Sequence, residues 1–268
     1  MRADQLLVEQ GLAPTRSAAQ RLIEGGAVRW RAPGSGDAGW RAPRKAGETL
    51  PLGSEIEVTD RAELRWASRA GLKLEGALKA WSALDGLADA HRPQLDGITA
   101  LDIGQSTGGF TDVLLHAGAA RVVGVDVGRG QLVPRLRQDP RVSVHEGLNA
   151  RELTREPLGT DCPSAGFNLI VGDLSFISQT LVWPALVPLL HRMGNLLMLV
   201  KPQFELQPQH IGKGGLVKPT APVHEIEPRL RALAQQLSLQ VLAWMPSPIT
   251  GGDGNNEHFI LMRHAATP

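Results

Sequence analysis

Cysteine is nearly absent from this sequence of 268 residues, in which Cys162 is the single example. One thiol excludes an intramolecular disulfide and a zinc site built from several cysteines. Tyrosine is missing altogether, and aromatic residues make up only 4% of the chain. Surfaces that stack single-stranded nucleic acid need several exposed rings. We therefore expect any contact with nucleic acid to depend on charge and shape.

Neither sign of charge predominates, since the chain has 28 Lys and Arg residues and 27 Asp and Glu residues, for a formal net charge of +1. Hydrophobic residues make up 42% of the chain, enough to bury a core and unlike a disordered protein. The sequence has no apolar run of about 18 residues that could span a membrane. Asp4, Glu9 and Gln10 interrupt the segment where a signal peptide needs an apolar core. A cytoplasmic protein is the expectation.

The first sixty residues have a pattern of their own. A helix is predicted over residues 3–10, and Thr15 or Ser17 can cap a second helix that ends at Gly25. The stretch 31–48 is rich in Gly and Pro, which predicts a hairpin connection between two strands. The arginines that this pairing of helices leaves for the surface are Arg2, Arg16 and Arg21.

From Ser68 onward, a helical segment is followed by apolar stretches that alternate with helical ones. Apolar stretches rich in Val, Ile and Leu predict the strands of a mostly parallel sheet covered by helices on both faces. The predicted fold is therefore α/β and Rossmann-like, preceded by a small α+β domain. The expected domains are residues 1–60, a linker at 61–70, and residues 71–268.

A glycine-rich loop follows the first of these strands, within residues 100–111. Glycines at the carboxyl end of such a strand allow the backbone to approach a ligand closely. The next strand ends at Asp126, whose carboxylate can accept hydrogen bonds from the two hydroxyls of a ribose. The expected contacts are Asp102, Gly104, Ser106, Thr107, Gly108, Gly109, Phe110 and Asp126.

The loop lacks the Gly-x-Gly-x-x-Gly spacing of a dinucleotide site and has an acid at its start. An acid suits a cationic amino-acid sulfonium better than a pyrophosphate. S-adenosylmethionine is therefore the expected cofactor. The alternative is that these glycines only form a tight turn between a strand and a helix.

Four polar residues stand where strands or helices end: Lys73, Asp173, Lys201 and Glu257. Lys201 follows an apolar strand and precedes a proline, and a neutral lysine amine is a usable general base. Each residue alone could form an ordinary salt bridge at the edge of the sheet. The set of four predicts an acid–base site.

Other motifs carry less information. The eight histidines form no pattern typical of a metal site, so we expect no metal. The loop at residues 212–218, with Lys213 and Lys218, is either a phosphate-binding loop or a flexible surface loop.

The order of seven motifs resembles, over nearly the whole chain, the hemolysin A or TlyA-type ribosomal RNA methyltransferases. The motifs are SRAGLKLEGAL, LDIGQSTGGFTD, VGVDVG, GDLSFIS, LVKPQFE, GKGGLVK and SPITGGDGNNEHF. The resemblance implies an RNA-binding domain like that of ribosomal small-subunit protein four, followed by an FtsJ-like methyltransferase domain. It also implies transfer of a methyl group from S-adenosylmethionine to a ribose 2′-hydroxyl, of a cytidine, in ribosomal RNA or a ribosomal subunit.

The resemblance further implies a catalytic tetrad of Lys73, Asp173, Lys201 and Glu257, with Asn149 near the cofactor. It implies RNA contacts through the amino-terminal domain, with Arg2, Arg16 and Arg21, and we add Lys213 and Lys218. Three departures from the family are Gln105 in place of a small residue, Ala3 in place of a larger apolar one, and a longer hairpin connection after Trp30.

Three other functions are considered. A membrane-active hemolysin would need a spanning segment, a leader or a basic amphipathic helix, and the sequence offers none of them. A non-catalytic RNA-binding protein that keeps a methyltransferase fold would not need all four polar residues. A small-molecule methyltransferase would leave the basic amino-terminal helices without a purpose.

Overall fold

The computed structural model describes residues 1–59, 64–87 and 92–266. Contacts between residues divide the chain into two units, Met1–Arg69 and Ala70–Pro268. Residues 60–63, where the predicted first domain meets the predicted linker, lie outside the described residues. The bounds of the domains and linker therefore stay predictions.

Unit 1 contains two helices and a two-stranded antiparallel sheet. Helix α1 is Ala3–Glu9, α2 is Arg16–Glu24, β1 is Val28–Arg31 and β2 is Glu55–Val58. Thr15 begins α2 by accepting a hydrogen bond from the backbone N–H of Ala18 at 3.2 Å. Leu7, Leu22 and Trp30 share one buried core. The predicted helices and hairpin are thus present, with β1 and β2 joined by the long connection.

Asp4 is the buried polar centre of unit 1. Its carboxylate accepts hydrogen bonds from Arg2 Nε and Nη2 at 3.0 Å each, from Arg16 Nε at 2.9 Å and from Gln20 Nε2 at 3.1 Å. Arg2, followed by Arg16 and Gln20, lowers the pKa of Asp4 well below its usual range. Arg2 and Arg16 are therefore anchored at the guanidinium end rather than free on the surface, although their side chains stay 41% and 51% exposed. Nε of Arg21 is buried and has no hydrogen-bond partner among the residues that the structure describes.

Unit 2 is a seven-stranded sheet with the strand order β5-β4-β3-β6-β7-β9-β8. The strands are β3 (Thr99–Ile103), β4 (Arg121–Asp126), β5 (Val142–Glu146), β6 (Phe167–Gly172), β7 (Leu190–Val200), β8 (Leu239–Pro246) and β9 (His258–His264). The first five strands in this order are parallel, and β9 is antiparallel to both β7 and β8. The prediction of a mostly parallel sheet is therefore confirmed.

Helices cover both faces of this sheet. The helices are α3 (Ala70–Ser82), α4 (Gly109–His116), α5 (Pro134–Arg137), α6 (Gln179–Leu186), α7 (Pro202–Glu205) and α8 (Ile226–Gln236). Leu101 of β3 shares a core with Trp183 of α6 and Leu230 of α8. The neighbouring residue Asp102 points to the opposite face, where Thr111 of α4 contacts its carboxylate.

Two features were not predicted from the sequence. Strand β5 is an edge strand whose five residues are only half buried, and its polar Ser143, His145 and Glu146 break the apolar pattern of a central strand. The first half of strand β7, which begins at Leu190, was not recognised either, because it carries half-buried His191 and exposed Arg192 in place of an apolar run.

The sheet order brings the ends of four strands to one edge. Ile103 pairs in register with Gly172 of β6, and Gly172 pairs with Met198 of β7, so Gly104, Asp173 and Lys201 all follow at this edge. Strand β9 runs the other way and begins opposite the end of β7, where Val200 pairs with His258. Glu257 therefore lies at the same edge as Lys201.

None of the helices in the described ranges has the length and apolar character needed to cross a bilayer.

Replacing Asp4 with Asn should lower the free energy of unfolding of unit 1 by about 1–3 kcal/mol, because two guanidinium groups lose their charged partner. The pKa of Asp4 is lowered on folding, so the stabilisation is complete above the unfolded pKa of about 4 and is lost as the pH falls below it. Hydrogen exchange of the α1 amides at pH 7 measures the effect. Glu9→Gln, at an exposed position of the same helix, is the control and should leave exchange unchanged.

Candidate functional site

Two lysine–carboxylate ion pairs lie at the carboxyl edge of the sheet. Lys73 of α3 pairs with Glu257 at 2.5 Å, and their side chains are 9% and 2% exposed. Lys201 pairs with Asp173 at 2.6 Å and also donates a hydrogen bond to Ser175 Oγ at 3.0 Å. The structure therefore brings together all four residues of the predicted acid–base site. Their individual roles stay predictions.

The two pairs are close enough to affect each other electrostatically. Burial raises the pKa of Glu257 above its usual range, and the charges of Lys73 and Lys201 oppose this rise. Asp173 adds a smaller effect in the same direction as burial. Two cations and two anions thus share one poorly solvated site, where the loss of one charge changes the electrostatic environment of the other three groups.

The backbone after Lys201 is fixed by a second buried carboxylate. Glu205, at the end of α7, accepts hydrogen bonds from Ser178 Oγ and the backbone N–H of Gln179, both at 2.7 Å. Arg229 of α8 donates to the same carboxylate at 2.8 Å. Burial raises the pKa of Glu205 despite these donors. The short turn that carries Lys201 is therefore held between α6 and α8.

A cavity of about 430 Å³ adjoins the Lys201–Asp173 pair. Of the predicted cofactor contacts, its walls include Gly104, Ser106, Asp126 and Asn149. Gly104 has φ +79°, and a Cβ at this position would lie 2.7 Å from the carbonyl oxygen of Asp173. Only glycine therefore allows the loop after β3 to approach the end of β6 this closely.

Asp126 is oriented toward this cavity by backbone donors. Its Oδ2 accepts from the N–H of Ser106 at 2.8 Å, and its Oδ1 accepts from the N–H of Gly128 at 2.6 Å. Its carbonyl oxygen accepts from the N–H groups of Gly147 and Leu148. The carboxylate is thus fixed at the end of β4, and each oxygen keeps a lone pair for a ligand hydroxyl.

Four predicted cofactor contacts lie behind the cavity wall instead: Asp102, Gly108, Gly109 and Phe110, which are all buried. Thr107 is also absent from the wall. Gly108 has φ +96° and begins α4, while the ring of Phe110 stacks on that of Phe259 with centroids 6.2 Å apart. These residues are not part of this cavity's wall, because the chain turns into α4 directly after Thr107, and their contact with the cofactor stays a prediction.

Asp102 belongs to a buried hydrogen-bond chain beneath this loop. Thr111 Oγ1 donates to Asp102 Oδ2 at 2.6 Å, and Gln105 Nε2 donates to Thr111 Oγ1 at 2.9 Å. Burial raises the pKa of Asp102 to about 7. Gln105, which departs from the family pattern, fits here because Gly124 leaves room for it: a Cβ at Gly124 would overlap the Gln105 side chain.

These residues fit the predicted cofactor. In the described part of the chain, no donor contacts Asp102 Oδ1, so a buried carboxylate oxygen beside the loop lacks a partner. Asp126 offers an acceptor for ribose hydroxyls whose position is fixed by the N–H groups of Ser106 and Gly128. An amino-acid sulfonium joined to a nucleoside presents the matching ammonium and hydroxyl groups.

Ser175 and Phe176 were not predicted as site residues. Phe176 lines the cavity, is 89% exposed and has φ +65°, and its ring lies 5.1 Å from that of Phe204. Sequence patterns assign an apolar residue after a strand to the core, so this exposed ring gave no signal. Phe176 is recognised as a candidate site residue only in the structure, from its positive φ and its exposed ring.

The 212–218 loop is hydrogen-bonded rather than free. Ile211 and Val217 form an antiparallel bridge, and the N–H of Gly212 donates to Leu216 O at 2.7 Å. Lys213 is exposed, whereas Lys218 Nζ donates to Gln209 O at 2.8 Å. These bonds disfavour the interpretation as a flexible surface loop.

Within residues 1–59, 64–87 and 92–266, no three His, Cys, Asp or Glu side chains are grouped so that they could hold a metal ion.

Two family models match the sequence: the FtsJ-like methyltransferase over residues 66–264 and the S4 domain over residues 1–29. The chain is 42% identical to the 16S/23S rRNA (cytidine-2′-O)-methyltransferase TlyA of Mycobacterium tuberculosis, over 98% of this chain and 89% of that protein. It is 33% identical to Hemolysin A of Brachyspira hyodysenteriae, over 97% of this chain and 100% of that protein. A solved structure of a proposed hemolysin from Streptococcus thermophilus is 36% identical and superposes with a TM-score of 0.70, covering 100% of this chain and 90% of that one.

Replacing Asp102 with Asn should change how stability depends on pH. The folded carboxyl has a pKa of about 7, whereas an unfolded one has a pKa of about 4. Between these values the folded state binds more protons, so the wild-type free energy of unfolding should fall as the pH rises, by the order of a few kcal/mol. Urea denaturation, repeated in steps of about one pH unit between about pH 5 and pH 8, measures the slope.

The Asp102→Asn variant should lose this part of the slope. Asp85→Asn, at an exposed aspartate after α3, is the matched control and should keep the wild-type slope. Equal slopes for all three proteins would show that Asp102 does not bind a proton in this range.

Proposed function

Since the chain belongs to the FtsJ-like methyltransferases and carries an S4 domain at its amino terminus, we propose that it methylates a ribose 2′-hydroxyl of ribosomal RNA, at a cytidine, with S-adenosylmethionine as donor. The observation that carries this proposal is the set of two lysine–carboxylate ion pairs at one edge of the sheet, one of which shares Asp173 with the wall of the cavity that contains Asp126. The name of the M. tuberculosis relative supports the choice of RNA and of a cytidine ribose.

The chemistry explains why two lysines are needed. A ribose hydroxyl is a poor nucleophile at neutral pH, so its proton must leave as its oxygen attacks a methyl carbon. Bound S-adenosylmethionine supplies that methyl group on a positively charged sulfur. The protein must therefore provide an acceptor for one proton and a positive charge near the developing alkoxide.

Lys201 is the proposed base. Asp173 and Ser175 contact its Nζ at 2.6 and 3.0 Å and fix the direction of the amine. In its unprotonated form the amine takes the hydroxyl proton as the oxygen bonds to the methyl carbon, and the methyl–sulfur bond that breaks would leave its electron pair on a neutral thioether. Lys73, held by Glu257, places a positive charge that stabilises the oxygen as it loses its proton.

The cofactor is proposed to occupy the cavity of about 430 Å³, with its ribose hydroxyls on Asp126. Asn149 and Leu148 line the same cavity and can contact the nucleoside. Asp173 belongs to both the cavity wall and the Lys201 ion pair, so donor and acceptor sites share one boundary. Placing the hydroxyl and the methyl in line across this boundary contributes a large part of the rate.

RNA binding is proposed for unit 1 and for the 212–218 loop. Arg2 and Arg16 are held by Asp4 with about half of each side chain exposed, so their guanidinium groups are already ordered for phosphate. Arg21 is a further candidate in the same unit. Lys213 and Lys218 are exposed on the loop of unit 2. The exposed ring of Phe176 offers an apolar contact for the nucleotide at the cavity.

The test of this proposal distinguishes ribose from base methylation. The purified protein is incubated with ribosomal subunits and S-adenosylmethionine labelled in the methyl group, and the RNA is hydrolysed in alkali. Alkaline cleavage uses the 2′-hydroxyl as its nucleophile, so a methylated ribose leaves an alkali-resistant dinucleotide. Label in dinucleotides supports the proposal, whereas label in mononucleotides would show methylation of a base.

Replacing Asp126 with Ala should weaken the binding of S-adenosylmethionine by about 1.5–3 kcal/mol, because a carboxylate that accepts from the ribose is lost. Isothermal titration calorimetry measures the affinity. Asp139→Ala, at a carboxylate that pairs with Arg141 away from the cavity, is the control. Wild-type affinity in Asp126→Ala would exclude the proposed ribose contact.

Replacing Lys201 with Ala should lower single-turnover methyl transfer by about 10²- to 10⁴-fold, the usual contribution of a positioned base. Lys201→Arg should be nearly as slow, because a guanidinium cannot release its proton at a workable pH. Lys79→Ala, at an exposed lysine of α3, is the control. A fast Lys201→Arg enzyme would mean that Lys201 acts as a fixed positive charge and that another group accepts the proton.

A further inference from the structure

Residues 251–257 form a segment that includes one carboxylate of the site and contacts the chain just after Lys201. At its end, Glu257 pairs with Lys73. In its middle, Asp253 Oδ2 accepts a hydrogen bond at 2.8 Å from Gln203, which lies two residues after Lys201. The N–H of Gly251 donates to Asn255 O at 2.8 Å, which closes the segment on itself. The segment therefore joins the surroundings of Lys201 to the partner of Lys73.

Asn255 connects this segment to the 212–218 loop. Its side chain is buried, with 6% of the residue exposed. Asn255 Oδ1 accepts from the N–H of Val217 at 2.9 Å, and Nδ2 donates to Gly215 O at 2.9 Å. One amide thus satisfies a donor and an acceptor of the loop backbone, as a neighbouring strand would. Alanine offers neither group, and aspartate offers only the acceptor.

The residues of the 212–218 loop are of the types that bind a phosphate backbone. Lys213 is exposed and is flanked by Gly212 and Gly214. Gly214 and Gly215 have φ of +74° and +82°, so their conformation would be strained for other residues. An exposed ammonium on a fixed, glycine-rich turn suits the charge of a nucleic-acid strand.

We propose that Asn255 is a positioning residue that holds the 212–218 loop, as a contact for the RNA backbone, at a fixed place relative to the Lys73–Glu257 pair. The inference rests on the proposed function, because it assumes an RNA substrate. Asn255 lies two residues before Glu257, so the same segment carries the anchor of the loop and the carboxylate of the site. The loop then aligns the RNA strand so that the ribose reaches the lysines.

The experiment compares Asn255→Ala and Asn255→Asp with Asn256→Ala in the full chain. Asn256 is the same residue type at the next position and is exposed, so it controls for any effect of altering the segment. Hydrogen exchange at Val217 should be faster in Asn255→Ala, whereas Asn255→Asp keeps the acceptor for this N–H and should exchange at nearly the wild-type rate. Single-turnover methylation at saturating ribosomal subunits should fall about 10- to 100-fold in Asn255→Ala, because a displaced substrate loses its attack geometry. Binding of S-adenosylmethionine should stay within about twofold.

A double-mutant cycle with Lys213→Ala separates positioning from a general loss of stability. If Asn255 acts through the loop, the effects of the two substitutions on RNA affinity should be smaller together than their sum. Additive effects would overturn the proposal. Faster exchange at Val217 with a wild-type rate of methylation would also overturn it, since the anchor would then be irrelevant to the reaction.

The wild-type protein gives a measurement that does not depend on any variant. Binding of ribosomal subunits should slow hydrogen exchange in the 212–218 loop, and unchanged exchange would contradict the proposal even if both Asn255 variants failed to fold. Failure of the proposed function has a different signature: the wild type and Asn256→Ala would then leave ribosomal RNA unmethylated.

Discussion

Removal of two lysine–carboxylate pairs from most of the solvent, one pair buried and the other half-buried at the same edge of a sheet, is the constraint on which this molecule depends. A charge removed from water is unstable unless an opposite charge is held against it, so each lysine needs its own acid at short range. Lys73 comes from a helix and Glu257 from the start of an antiparallel strand. Lys201 and Asp173 follow two adjacent parallel strands. The site exists only when all of these elements are packed.

Two groups of residues lie on either side of this edge of the sheet. On one side, Asp126 and Asn149 line a cavity whose acceptor is fixed by backbone donors. On the other side, the lysines are held by acids and by the segment that contains Asn255. Asp173 belongs to both sides. In the proposed reaction, a shift at this one residue would therefore disturb the cofactor site and the lysines together. Glu205 adds rigidity nearby by holding the chain after Lys201 against α6 and α8.

Unit 1 uses a buried acid in a comparable way. Asp4 accepts three hydrogen bonds from Arg2 and Arg16 and a fourth from Gln20. Ordering an arginine before it meets RNA lowers the conformational entropy lost on binding. A residue that carries negative charge can thus support the binding of a negatively charged partner, because it acts on the geometry of the arginines.

The sequence by itself determined the class of fold, the positions of most strands along the chain and the four polar residues of the site. It could do so because central parallel strands are apolar runs, and because residues that follow such strands meet at one edge. The glycine-rich loop after β3 and Asp126 were recognisable for the same reason. The family resemblance then assigned motifs that are far apart in the chain to one site.

Only the tertiary structure decided which residues face the cavity and which lie behind it. Asp102 and Asn149 were both expected near the cofactor, yet one is buried under the loop and the other lines the cavity wall, because the turn into α4 is set by packing. Edge strand β5, exposed Phe176 and the anchoring of Arg2 by Asp4 were hidden for a related reason. Periodicity reports how a segment is buried, whereas contacts between distant segments such as Asn255 and Val217 arise only when the chain is folded.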